Sequence, residues 1–76
     1  MTWQEHIISD PKVLLGKPSI KGTRISVELI IELYSKGWTE EQILSSYPTL
    51  TKDSLRSVFA YLQDCLQQEF YFPISA

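Results

Sequence analysis

The chain has 76 residues, 43% of them hydrophobic, and a formal net charge of −2. A domain this short buries only about 60% of the surface its unfolded chain exposes, and Cys65 and His6 are its only cysteine and histidine, so neither a disulfide nor a His/Cys metal site can staple it and dimerisation is the remaining support. The lone cysteine fits a reducing compartment, the first residues lack a secretory pattern, and no apolar run nears the roughly 18 residues that cross a bilayer; the expectation is a cytoplasmic protein with no membrane contact.

From Ile7 to Ile25, short apolar pieces alternate with turn chemistry: Ile7-Ile8, Ser9-Asp10-Pro11, Val13-Leu14-Leu15, Gly16-Lys17-Pro18, Ile20, Lys21-Gly22, Ile25. Glycine and proline at that density exclude a helix and predict an arm of two or three short strands with tight turns over 7–25. Gly22 is expected at positive φ. His6 is expected near a mobile terminus. Residues 1–24 carry Lys12, Lys17, Lys21 and Arg24 against Glu5 and Asp10, whereas residues 25–76 carry Lys36, Lys52 and Arg56 against seven acids. Such asymmetry suits a polyanion-facing end, and it is also what an ordinary solvated surface shows.

After Ile25 the period becomes helical. Ser26 is placed to cap a first helix in which Val27, Ile30, Ile31 and Tyr34 share one face and Leu29 and Leu33 widen it. So broad an apolar arc predicts a central helix or one that also faces a second subunit. Gly37 supplies the left-handed residue that ends it. Thr39 caps the second helix with Gln42 completing a capping box and Trp38 as staple to Ile43; this helix runs to about Ser46. Tyr47-Pro48-Thr49-Leu50 connects to a third helix capped by Thr51, with Leu50 stapling to Leu55. Leu55, Val58, Phe59, Leu62 and Leu66 form its expected buried stripe. The fold class is therefore mainly α: one domain with a short N-terminal β element (7–25), a trihelical, helix-turn-helix-like core (26–69) and a C-terminal aromatic tail (70–76).

The order Asp10-Pro11, Gly16-Lys17-Pro18, Ile20, Gly22-Thr23-Arg24-Ile25, Val27, Ile30, Gly37, Glu40-Glu41-Gln42-Ile43, Tyr47-Pro48 and Leu50-Thr51 resembles domain-of-unknown-function family 433, over about Ile7 to Leu62. The combined spacing is far more specific than any one piece. The resemblance implies a small homeodomain-like helix-turn-helix domain, and because some members are VapB-like antitoxins encoded beside a PIN-like ribonuclease toxin, it implies that role here.

On a DNA-reading third helix the outward positions would be Asp53, Arg56, Ser57, Ala60, Gln63, Asp64 and Gln67. Arg56 would fork onto a guanine edge, Ser57 or Gln63 would add hydrogen bonds, and Lys52, expected nearer the packed side but in the first turn, would reach a phosphate. The aspartates oppose this: both are repelled by phosphate, and Asp53 is spaced to neutralise Arg56. A solvated face with a local ion pair is the alternative. Two readings also stand for the arm. Lys17, Lys21 and Arg24 supply phosphate contacts beside a dimer axis, or Gly22-Thr23-Arg24-Ile25 is a joint into the first helix, with Arg24 paired to Glu28 or another carboxylate and Ile25 stapled onto Ile30.

Glu69-Phe70-Tyr71-Phe72-Pro73-Ile74 gathers three aromatics, and aromatic clusters anchor interfaces. Phe70, Tyr71 and Phe72, with Tyr61 and Cys65 on the third helix, are the candidate surface for the toxin or the dimer mate; folding back on the chain's own core is the alternative. One histidine, one cysteine and no clustered carboxylates build no catalytic dyad, triad or metal site, and no cofactor is expected. Gly16-Lys17-Pro18-Ser19 is no phosphate loop, because Pro18 removes a needed backbone donor. The expected function is an antitoxin-type homodimeric autorepressor on operator DNA; the rival is a homodimeric interaction module without DNA binding.

Overall fold

A computed structural model describes residues 2–68. Its elements in chain order are a 3₁₀ turn at Trp3–Glu5, β1 (Ile7–Ile8), a 3₁₀ turn at Leu14–Gly16, β2 (Ser19–Ile20), α1 (Val27–Ser35), α2 (Glu40–Ser46) and α3 (Lys52–Gln67). The protein is thus three helices behind a two-stranded antiparallel sheet, in which Ile7 faces Ile20 and Ile8 faces Ser19.

Val13-Leu14-Leu15, expected as a strand-like piece, instead makes a left-handed turn: Leu14, Leu15 and Gly16 have φ of 52°, 58° and 86°. Left-handed backbone costs an L-residue about 1–3 kcal/mol, so this bend is a strained one, and it leaves Leu15 94% exposed. The next turn is an unstrained joint. Gly22 takes φ 80°, the Thr23 hydroxyl donates to the Ile20 carbonyl and accepts from the Ile25 amide, and the Ile20 amide donates to the Ile25 carbonyl. Those bonds turn the chain from β2 into α1.

Each helix begins at its expected cap. The Ser26 hydroxyl accepts from the Leu29 amide. Thr39 and Gln42 form the capping box of α2, and Thr51 forms one with Ser54 at α3. α1 ends in a Schellman motif, where the Trp38 amide donates to the Leu33 carbonyl and the Gly37 amide to Tyr34, with Gly37 at φ 91°.

The core is Ile7, Ile20, Val27, Ile30, Leu33, Ile43, Leu50, Leu55 and Val58. α1 therefore turns Leu33 inward, while Ile31 and Tyr34 are only half-buried. The stripe expected on α3 holds for Leu55 and Val58, is half-buried at Leu62 and fails at Phe59 and Leu66, which are 48% and 52% exposed. Leu66 lies near the end of α3, past the reach of the shorter α1 and α2 at about 1.5 Å per residue, whereas Phe59 lies mid-helix at the edge of the apolar face, beside Lys52 and Arg56.

The N-terminal segment covers a different flank of α3. The Trp3 ring meets Tyr61 edge-on at 4.9 Å and 75°, and its indole N–H donates to the Asp64 carboxylate. The His6 amide donates to the Trp3 carbonyl, and the His6 carbonyl accepts from the Lys21 amide. His6 thus lies in a fastened segment, contrary to expectation.

Candidate nucleic-acid interface

The basic residues of the arm are placed by two turns. Lys17 follows the left-handed bend, and Lys21 and Arg24 sit on the Ile20–Ile25 joint; all three are exposed. Lys17, rather than Arg24, pairs with Glu28 (Nζ–Oε1 3.5 Å), because β2 returns the chain beside the first turn of α1. Both side chains are well solvated, so the pair contributes a few tenths of a kcal/mol at most, roughly.

On α3 the expected outward set divides. Ser57 is fully buried and its hydroxyl donates to the Asp53 carbonyl at 2.7 Å; it cannot contact a base. It shares the flank of Ser54, Tyr61 and Asp64 at helical spacing, against which the N-terminal turn and β1 pack. Asp64 is held on that flank by Trp3. Among the described residues no ion pair joins Asp53 to Arg56. Exposed positions 52, 56, 59 and 63 then form one line, Lys52-Arg56-Phe59-Gln63, with no carboxylate in it.

Lys52, Arg56 and Phe59 line a depression of about 390 Å³ with Tyr34, Glu40 and Leu55. The Tyr34 and Phe59 rings stand 5.2 Å apart, tilted by 58°. Partial burial, and then the Glu40 carboxylate, push the Tyr34 hydroxyl above its ordinary pKa. Glu40 is the one acid against two bases here.

Across α3 lies a second groove of about 340 Å³, lined by Val27, Ile31, Tyr61 and Leu62, with Pro18, Lys17 and Glu28 at its edge. The Tyr61 hydroxyl is raised by burial and then by its hydrogen bond with Cys65. Tyr61 is half-buried there, whereas Phe70, Tyr71 and Phe72 lie outside the described residues. A broader hollow of about 500 Å³ along α2, between Trp38 and Ser46, is open and polar-edged. Among the described residues no three His, Cys, Asp or Glu side chains converge as metal ligands, and no helix is long and apolar enough to cross a membrane.

Sequence periodicity assigned Phe59 to the core and gave no sign that Trp3 reaches Asp64, a partner 61 positions away. The signal available for Phe59 was its place in line with Lys52 and Arg56 at helical spacing.

The model of a family described as protein of unknown function (DUF433) matches residues 7–62. Among solved structures, the crystal structure of a DUF433 member protein from Anabaena variabilis ATCC 29413 at 2.00 Å resolution superposes with a TM-score of 0.77 and 29% identity. That match covers 86% of this chain and 64% of the other, so the chain spans less than two thirds of its relative's length. No curated protein matches.

Proposed function

The chain belongs to the DUF433 family of proteins of unknown function, and from that premise we propose that it is a small DNA-binding, antitoxin-type autorepressor. It acts in the cytoplasm as a homodimer, by binding rather than catalysis, and pairs with a PIN-like ribonuclease toxin. The observation that carries the DNA reading is the exposed line Lys52-Arg56-Gln63 on α3, which holds no carboxylate, with Asp64 bonded to Trp3 on another flank. That answers the objection for Asp64; Asp53 stays exposed in the first turn of α3, with no ion pair to Arg56 among the described residues. Arg56 forks onto a guanine edge, and Lys52, Lys21 and Arg24 contact phosphates, with Lys17 weakened in this role by Glu28. The toxin role rests on the family resemblance, and the apolar groove beside Tyr61 offers the toxin a surface apart from the DNA-reading line; Phe70, Tyr71 and Phe72 join the proposal as partner contacts on their sequence alone.

An electrophoretic mobility shift on the upstream DNA of the chain's own gene, at low and physiological salt and against a scrambled duplex, tests this. A sequence-selective shift that weakens steeply with salt is expected; a folded protein without selectivity overturns it. The toxin role is tested by adding the chain to the PIN-like product of a neighbouring reading frame, whose ribonuclease activity should fall. The groove of Val27, Ile31, Tyr61 and Leu62 favours a second reading, an interaction module without DNA binding, which the same pair of experiments separates from the first.

A further inference from the structure

Resting on the DNA-binding reading, we propose that Phe59 is a base-reading residue that packs on the C5 methyl of a thymine in the major groove, beside the base pair read by Arg56. Phe59 is 48% exposed, yet its place is defined: Tyr34 packs against it at 5.2 Å, and Lys52 and Arg56 line the same depression. Within the exposed line on α3 it stands three residues after Arg56 and four before Gln63.

Three physical facts select the ligand. A protein docking on this ring would have to desolvate Lys52 and Arg56, whereas duplex DNA brings phosphates and acceptor-rich guanine edges to those positions. The thymine methyl is the apolar group that base edges present in the major groove, and phenylalanine packs against it. The spacing also fits: three residues of helix rise by about 4.5 Å, close to the roughly 3.4 Å repeat of one DNA strand, so Arg56 and Phe59 address neighbouring base pairs. Glu40, the one acid lining the depression, leaves the bases in excess.

The experiment compares binding of the upstream duplex with the same duplex in which every thymine is replaced by deoxyuracil, which pairs alike and lacks only the methyl. The native protein should prefer the thymine duplex by about fourfold, the worth of one buried methyl. Phe59→Ala should lose the preference and Phe59→Leu should keep part of it; the ratio within one protein is independent of that variant's overall affinity or stability. Selective binding with a ratio near one, or a preference that survives in Phe59→Ala, overturns the inference and leaves the DNA-binding reading intact. Absence of selective binding to either duplex by the folded native protein overturns both.

Discussion

The two depressions that flank α3 are similar in size and opposite in character. One, at Lys52, Arg56 and Phe59, carries bases with no described ion pair beside an exposed aromatic ring; the other, at Val27, Ile31, Tyr61 and Leu62, is apolar, and its edge lysine is paired with Glu28. The difference teaches that counting charges along the chain mislocates them in space. Residues 1–24 hold the excess of bases, but Lys17 is partly neutralised there, whereas Lys52 and Arg56, in the acidic remainder, face water without a described carboxylate partner. On the proposed reading, DNA and a protein partner would use different sides of this helix.

Both depressions depend on α1 lying against α3, so Ile30→Ala should abolish the contrast altogether. Ile30 is fully buried, and such a truncation costs about 3 kcal/mol, a large part of the stability of so small a domain. Denaturant titration checks this, and a loss well under about 1 kcal/mol would mean that the core can collapse around the gap. Next in size, Lys52→Ala with Arg56→Ala should weaken operator binding by about 10- to 100-fold and flatten its salt slope by about one for each phosphate that is no longer neutralised. Lys17→Ala should do far less. Equal losses, read by fluorescence anisotropy, would erase the distinction between the two sides.

Trp3→Phe keeps an aromatic ring near Tyr61 and removes the donor to Asp64. It should destabilise the fold by about 1 kcal/mol, measured by thermal denaturation, and weaken DNA binding by releasing Asp64. Unchanged DNA binding would show that Asp64 does not matter to the reading face. Lys17→Gln should cost only a few tenths of a kcal/mol, roughly, because the ion pair is solvated. Smallest is a titration effect. Tyr34 stays protonated above the ordinary pKa of 10.0, chiefly through burial and secondarily through Glu40. Above pH 10 the unfolded chain loses its tyrosine proton first, so stability should fall as pH rises through that range. Tyrosinate absorbance should show Glu40→Gln moving Tyr34 part of the way back; no movement would remove Glu40 from the depression's electrostatics.

Local chemistry made much of the fold legible. Ser26, Thr39 with Gln42, and Thr51 are caps because a hydroxyl two or three residues ahead of free amides satisfies them wherever the helix later packs. Gly22 and Gly37 were readable for a similar reason, since a left-handed turn favours the residue without a Cβ. The pairing of Glu28 was not legible: Arg24 lies nearer in sequence, and Lys17 arrives only because β2 folds back on β1. Nor was the fate of α3's flank: periodicity set Ser57 and Asp64 facing outward, yet Ser57 is buried and Trp3, 61 positions upstream, holds Asp64.

By itself, the sequence determined where helices start and stop, which residues share a helix face, and the family to which the chain belongs. These follow from caps, turns, period and motif spacing, all properties of neighbouring residues. Only the tertiary structure decided which faces of α3 meet water. Periodicity groups residues around a helix axis but does not say how many neighbours lie against it or how far they reach. Phe59 is left at the edge of the packed face, and the N-terminal turn meets Tyr61 and holds Asp64.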